Sequence, residues 1–336
     1  MIRKRLEIVL AQVGDNDDIA KYQRYQLESG ASVSYSASRL GNFLMSIYLS
    51  LFERRDSYTR NALEALVARN VRRALGMFAD ILSSPHIPTS QITTTVLDIG
   101  GERIAEDNIL RALMRGRYRL FNNRSVYIRN ILSTNPDWTR PSNFLYADLL
   151  EFLIRNRKQK IDFSVEGYAS GETIVNRMTQ LGYEEDDALS ALNQLSEWGL
   201  VESESLLSKT LTSVDAVQVH ASGFIHMRYL LMQPEYIVGI STDLSVASNN
   251  LSVDLASVWN NPRHPEPDFA GRRRILDLIN YYVMSEYERR INRHAFYREL
   301  GYGGQIVVEA LGRAVRRHQQ TFVKRSSQGG RGHHRK

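Results

Sequence analysis

A short run of polar and basic residues, Arg69-Asn-Val-Arg-Arg-Ala-Leu75, contains the residue types that bind phosphate. A guanidinium is planar and always charged, so an arginine held on a rigid helix is suited to stabilise phosphate charge. A purely structural interpretation stays open, in which this run belongs to an amphipathic helix whose arginines face solvent.

The run resembles the Gly-Asn-x-Arg-x-Ala-Leu motif in the helical lid of AAA+ and related P-loop ATPases, such as archaeal origin-recognition proteins. The resemblance implies that Arg72 is the lid arginine, often called sensor 2, that points towards the nucleotide phosphates. It also implies that Asn70 shapes the turn before that arginine. One departure is Arg69, which stands where the family usually has glycine. The helices on both sides of the motif and a downstream unit extend the resemblance to about residues 1–233. The resemblance also includes the related STAND-type ATPases.

The phosphate-binding core of such an ATPase is missing from the sequence. No Gly-x-x-x-x-Gly-Lys-[Ser/Thr] motif is present, and no glycine is followed by lysine. In these ATPases the core precedes the lid, whereas this chain begins almost inside the predicted lid. Because nothing cradles phosphates or holds magnesium, we expect no ATP hydrolysis and no cofactor on this chain alone. ATP and Mg²⁺ would be bound by the missing core, which lies either on another polypeptide or in a part of the protein outside this sequence.

The downstream unit, residues 143–233, has its helices and short extended runs in the order of a winged helix. The pattern predicts helices over 144–154, 173–181 (with Ser170 as N-cap), 184–198 and 224–231, and strands over 200–204 and 216–220. In DNA-binding versions, the helix before the wing enters the major groove. Here that helix has five acidic residues and neither lysine nor arginine. Contact with a protein, or autoinhibition, is therefore at least as well supported as contact with DNA.

Two segments without any acid contain most of the residues expected to contact nucleic acid. Arginines and aromatics alternate in 108–136, which suits backbone contact and base stacking, but a packed helical connector explains this pattern equally well. Segment 312–336 contributes +8 to the total charge of +6, which leaves −2 for residues 1–311. The residues predicted for nonspecific nucleic-acid binding are Arg111, Arg115, Arg117, Arg119, Arg124, Arg129, Arg272, Arg273, Arg274, Arg316, Arg317, Lys324, Arg325 and Arg331.

The composition excludes several kinds of catalytic and metal-binding site. The 336 residues include no cysteine, which excludes disulfides, thiolate metal sites and cysteine nucleophiles. The eight histidines form no close ligand set, and paired acids such as Asp186-Asp187 lie at predicted helix starts, where the helix dipole explains them. No run is long and apolar enough to span a membrane. We expect no metal site, no enzymatic activity of the chain alone, no membrane contact and a cytoplasmic location.

These patterns predict a mainly α-helical chain of several units. The units are a helical lid bundle over 1–90 (helices at 1–13, 38–53 and 59–83), a basic helical connector over 91–142 (helix at 106–120), a winged helix over 143–233, a C-terminal helical domain over 234–323 and a disordered basic tail over 324–336. The predicted function is the C-terminal regulatory part of a P-loop ATPase that binds a protein partner or nucleic acid and is able to form homo-oligomers. Two alternatives stay open: a stand-alone winged-helix nucleic-acid-binding protein, and a phage or structural assembly protein with an arginine-rich tail.

Overall fold

A computed structural model describes residues 23–26, 32–35, 58–67, 70–87, 104–123, 127–204, 210–246, 248–260, 266–300 and 302–329. The described residues are mainly helical with few strands, which confirms the prediction of a mainly α-helical chain. The chain divides into two compact units, Met1–Ile128 and Arg129–Lys336. The helices predicted over 1–13 and 38–53 lie outside the described residues, and the predicted domain boundaries remain predictions.

The first unit combines a hairpin with helices. Its elements are β1 (Gln23–Gln26), β2 (Ser32–Tyr35), α1 (Tyr58–Val67), α2 (Val71–Ser83) and α3 (Glu106–Arg115). β1 and β2 pair antiparallel, with Gln23 opposite Tyr35. The sequence pattern predicted only helices in this region, although Ser32-Val-Ser-Tyr35 alternates polar and apolar residues as a strand does. α2 packs against both α1 and α3.

The single helix predicted over 59–83 is wrong, because α1 and α2 are separate helices. Asn70 has an extended backbone (φ −83°, ψ 108°), and its side-chain oxygen accepts the N–H of Arg73 at 3.0 Å. An asparagine that bonds its own downstream backbone starts a new helix and competes with continuation of the previous one. α3 also ends earlier than predicted, at Arg115 and not at 120, because Gly116 adopts a φ of 56°.

The second unit contains many short elements and two long helices. Its elements are α4 (Leu145–Asn156), β3 (Ala169–Ser170), α5 (Gly171–Gln180), α6 (Glu185–Glu197), β4 (Val201–Ser203), β5 (Ala216–Val219), α7 (Ala221–Arg228), a 3₁₀ turn (Leu230–Met232), α8 (Pro234–Ile240), α9 (Asn249–Trp259), α10 (Phe269–Arg293), α11 (Ala295–Leu300) and α12 (Gly303–Gly329). β5 lies between β3 and β4 and is antiparallel to both. Ser170 caps α5 as predicted, because its hydroxyl accepts the N–H of Thr173 at 3.1 Å.

The core of the second unit forms where α12 packs against α4, α8, α10 and the 3₁₀ turn. The buried residues of α12 recur at helical spacing and include Val307, Leu311 and Ala314. On α4, every residue from Leu145 to Ile154 is buried. A helix that is covered on all sides normally lacks polar residues, so the buried Asp148 and Glu151 of α4 need partners inside the protein.

α12 continues to Gly329, six residues into the segment predicted as a disordered tail. Residues 322–328 include neither glycine nor proline, so the local sequence permits helix up to the Gly329-Gly330 pair. Residues 330–336 lie outside the described residues.

A close backbone approach at the start of α12 gives a test of this packing. A Cβ added at Gly303 would overlap the carbonyl group of Ala147, whereas one added at Gly312 would meet only Arg316 Nη1 at 3.5 Å. We expect Gly303→Ala to lower the free energy of unfolding by about 2 kcal/mol or more, because backbone atoms cannot move aside cheaply. We expect Gly312→Ala to raise it by about 0.5–1 kcal/mol, because alanine favours helix. Denaturant unfolding of both variants measures this difference, and equal effects would contradict the close contact.

Candidate functional site

The start of α2 presents an exposed arginine. Asn70 caps the helix, and Arg72 is exposed in its first turn. Among the residues that the structure describes, none forms a hydrogen bond or an ion pair with the Arg72 side chain. The first turn of α2 includes no acid, although acids are the usual stabilising choice there. The positive end of the helix dipole and the guanidinium therefore both favour an anion at this corner of the first unit.

The adjacent Arg73 has a structural role. Its guanidinium lies 5.7 Å from the ring centroid of Tyr127, and the Tyr127 hydroxyl donates to Asp80 Oδ2 at 2.9 Å. Gly76 allows this approach, because a Cβ there would lie 3.2 Å from the Tyr127 hydroxyl. Desolvation lowers the pKa of Arg73, while burial, with help from the Asp80 hydrogen bond, raises the pKa of Tyr127 to about 12. These contacts hold α2 against the chain that follows α3, whereas the neighbouring Arg72 faces solvent.

The arginines predicted for nucleic-acid binding in 108–136 do not form one surface. Arg115 is 1% exposed, and its Nη1 donates to the carbonyl oxygen of Arg119 at 3.2 Å. The prediction for Arg115 is therefore wrong, because its guanidinium is enclosed by the unit and cannot reach a phosphate in solvent. Arg117 and Arg119 are exposed. The other members are Arg111, which is half-buried, Arg129, which belongs to the second unit, and Arg124, which lies outside the described residues.

The three arginines at the start of α10 all pair with acids of the second unit. Arg272 forms two contacts of 2.5 Å with the buried carboxylate of Glu235 on α8. This bidentate pair joins α10 to α8, which corrects the prediction that Arg272 binds nucleic acid. Arg273 lies 3.5 Å from Asp277, and Arg274 lies 3.0 Å from Asp254. Both of these pairs are exposed and are individually weak.

The basic residues of α12 differ in their surroundings. Arg316 is exposed, whereas Arg317 Nη1 donates to the carbonyl oxygen of Met232 at 3.3 Å. Lys324 and Arg325 belong to α12 by their backbone, and Arg331 lies outside the described residues. The exposed part of α12 beyond Glu309 is therefore basic as far as its side chains are described.

The acidic start of α6 is partly used inside the second unit. Asp187 is 3% exposed, and its two carboxylate oxygens accept the backbone N–H groups of Thr139 and Arg140, each at 2.9 Å. The Arg140 guanidinium lies 2.9 Å from the carboxylate of Glu184. Asp186 remains exposed. This surface repels phosphate, which disfavours groove binding by α6.

A buried polar cluster in the second unit was not anticipated from the sequence. Asp148 is fully buried and accepts hydrogen bonds from Tyr183 Oη at 2.6 Å, Tyr297 Oη at 2.9 Å and the Gly304 N–H at 3.0 Å. The Arg290 guanidinium lies 4.0 Å from the ring centroid of Tyr183 and 4.8 Å from that of Tyr297. Burial raises the pKa of Asp148, while Arg290 and the three donors counteract part of this rise. The signal in the sequence was an acid within an apolar helix.

The Asp148 cluster is closed to solvent, so its role is to connect elements, not to bind a substrate. It joins α4, α10, α11 and the start of α12. Among the described residues, no group of histidine and acidic side chains is placed to hold a metal ion. No helix within the described ranges has the length and apolar character that crossing a membrane requires.

In comparisons with known proteins, the chain matches no protein-family model, no curated protein and no solved structure. The function must therefore be inferred from the residues and their geometry. The exposed Arg72 at the start of α2 is the candidate functional site, because it combines exposure and positive charge with a backbone that the Asn70 cap fixes.

The Asp148 cluster yields a prediction about stability. We expect Asp148→Ala to lower the free energy of unfolding by about 3–5 kcal/mol, because Tyr183, Tyr297 and the Gly304 N–H lose their acceptor and Arg290 loses a nearby negative charge. The control Asp254→Ala removes an exposed partner of Arg274 and should cost less than about 1 kcal/mol. Denaturant unfolding followed by circular dichroism compares the two variants. Similar small losses in both would contradict the connecting role of Asp148.

Proposed function

We propose that this chain is the C-terminal regulatory part of a cytoplasmic P-loop ATPase whose nucleotide-binding core is not included in the 336 residues. The chain would couple the nucleotide state of that core to the binding of a partner. The observation that carries the proposal is the geometry of Asn70 and Arg72. The asparagine fixes the start of α2, and the arginine is exposed in its first turn.

Arg72 is suited to act in trans on a nucleotide. A guanidinium that reaches phosphates from outside the P-loop stabilises the charge that develops during phosphoryl transfer. Such an arginine must be accessible, and its backbone must be fixed. Arg72 is exposed, and the neighbouring contact of Arg73 with Tyr127 holds the same turn in place. ATP and Mg²⁺ would be supplied and bound by the missing core, and the chain alone would not be an enzyme.

We further propose that residues 143–233 form a winged-helix module that contacts a protein. Two observations support a winged helix. The elements from α4 to β5 follow the order helix, strand, helix, helix, strand, strand, and β5 lies at the centre of an antiparallel sheet. The acidic residues of α6, which include the exposed Asp186, support a protein partner over DNA. A partner with a basic surface fits this helix.

The sensor role of Arg72 is tested in a complex with the ATPase core. The tagged chain is expressed in the organism that encodes it and is purified together with its bound partners. The recovered complex is then assayed for ATP hydrolysis. We expect the complex to contain a P-loop protein. We expect Arg72→Ala to lower its turnover at least about tenfold without changing its recovery, because the transition-state charge loses a cation.

The matched control is Arg60→Ala on α1, which removes a surface arginine whose contact with Glu64 spans one helical turn. It should leave both recovery and turnover unchanged. A complex without a P-loop protein would contradict the ATPase proposal. Equal turnover in the wild-type and Arg72→Ala complexes would remove the sensor role alone.

A second candidate function is nonspecific nucleic-acid binding by the C-terminal residues. Segment 312–336 has eight basic residues and no acid, and Arg316 is exposed on α12. Phosphate backbones bind such segments without sequence preference. The pairing of Arg272, Arg273 and Arg274 with acids indicates that α10 contributes little to this function.

The salt dependence of binding tests this second function. Deletion of residues 324–336 removes five basic residues. We expect this deletion to flatten the slope of log affinity against log salt concentration by about 4 for duplex DNA, because fewer counterions are released. The double variant Arg273→Ala, Arg274→Ala should leave the slope unchanged. Fluorescence anisotropy with a labelled duplex measures both, and absence of binding at low salt would overturn the function.

A further inference from the structure

Helix α10, with the 25 residues Phe269–Arg293, has apolar residues on two opposite faces. One face packs into the second unit through Ile275, Leu276, Ile279 and Val283. The opposite face points into solvent. An ordinary surface helix has polar residues on its solvent-facing side, because the exposure of apolar side chains to water is unfavourable.

The solvent-facing residues form a continuous stripe, which we call the α10 stripe. They recur at the three- and four-residue spacing of one helix face. Its apolar centre consists of Leu278, Tyr281 and Met284, of which Tyr281 is 76% exposed and Met284 is 42% exposed. The stripe comprises Ala270, Arg274, Asp277, Leu278, Tyr281, Met284, Ser285 and Glu288.

An open groove of about 410 Å³ runs along the N-terminal half of the α10 stripe. The groove is shallow, and all its lining residues belong to α10: Ala270, Arg273, Arg274, Asp277, Leu278 and Tyr281. The groove therefore has an apolar floor with charges beside it, which suits a side chain such as leucine or methionine from another helix.

The α10 stripe is self-complementary about Tyr281. Arg274 and Glu288 lie seven residues before and after Tyr281, and Leu278 and Met284 lie three residues before and after it. When two such helices run antiparallel with the two tyrosines opposite each other, Arg274 of each copy meets Glu288 of the other. Leu278 then meets Met284 of the other copy. A twofold axis at Tyr281 thus pairs opposite charges with each other and apolar residues with each other.

We propose that α10 is the self-association surface of this protein, and that two copies pair antiparallel across Tyr281. Met284 of each copy enters the groove beside Leu278 of the other. Arg274 already lies 3.0 Å from Asp254 of its own chain, and the several donors of a guanidinium allow it to bind Glu288 of the second copy as well.

Other occupants fit the α10 stripe less well. Nucleic acid and an anionic lipid surface are disfavoured by the two acids in the stripe, Asp277 and Glu288, which are both exposed. Parallel pairing of two copies would place Arg274 against Arg274 and Glu288 against Glu288. Only the antiparallel pair satisfies the charges at both ends of the stripe.

Disulfide trapping tests the register, because the full-length chain has no cysteine of its own. The single variant Tyr281→Cys should form a disulfide-linked dimer under mild oxidation, since the twofold axis brings this residue close to its own copy. A mixture of Leu278→Cys and Met284→Cys chains should form the mixed dimer in preference to either homodimer. The matched control is Val214→Cys, because Val214 is 77% exposed and lies outside α10. This variant should form no disulfide-linked dimer under the same oxidation.

Sedimentation measurements over about 1 µM to 1 mM protein test the association without a covalent link. We expect wild-type monomers and dimers in concentration-dependent exchange, and an increase of at least about tenfold in the dimer dissociation constant for Tyr281→Glu. Arg274→Glu and Glu288→Arg should each weaken the dimer, and the double variant should restore it, because the charges are exchanged across the axis. Val214→Glu should have no effect, and thermal unfolding checks that each variant is folded.

Several results would overturn the proposal. A wild-type chain that is monomeric at the highest concentration, or a dimer that Tyr281→Glu leaves intact, would place self-association elsewhere or exclude it. Homodimers linked at 278 and at 284 without the mixed dimer would indicate parallel pairing. Failure of the charge exchange to restore the dimer would contradict the contact between Arg274 and Glu288.

Discussion

The buried carboxylate of Asp148 sets the constraint on which the second unit depends. A carboxylate inside a protein costs several kcal/mol unless hydrogen bonds and charge replace the lost water. Asp148 obtains them from Tyr183, from Tyr297 on α11, from the N–H of Gly304 on α12 and from the nearby Arg290 on α10. Each donor comes from a different part of the chain, so all these parts must be in place together. We infer that this cluster selects one packing among those that bury similar apolar area.

Two other buried acids are also stabilised by groups from other helices. Each of them forms an ion pair with an arginine. Glu151 on α4 binds Arg228 on α7 at 2.7 Å, and Glu235 on α8 binds Arg272 on α10. Such ion pairs fix the positions of two helices relative to each other, which apolar contacts alone would leave free to shift. They also mean that a count of arginines overstates the positive surface. In the second unit the three arginines at the start of α10 are all paired with acids, so they add little to the positive charge available to an outside partner.

Local patterns predicted much of the element order but not the contacts that fix it. Apolar periodicity and short extended runs indicated the helices and strands between α4 and α7, and Ser170 was recognisable as an N-cap. The break at Asn70 was missed because apolar residues continue at helical spacing on both sides of it. The Asp148 cluster was missed because its partners are 35, 149 and 156 residues away, which no local pattern encodes.

The neighbouring residues Arg72 and Arg73 show why structure is needed to interpret a motif. Both are arginines in the first turn of α2, yet successive residues on a helix point about 100° apart. Arg73 turns towards Tyr127, and Arg72 turns to solvent. Tyr127 also bonds to Asp80 on α2, and it precedes the end of the first unit at Ile128 by one residue. The helix that presents Arg72 therefore also holds Tyr127 through Arg73 and Asp80.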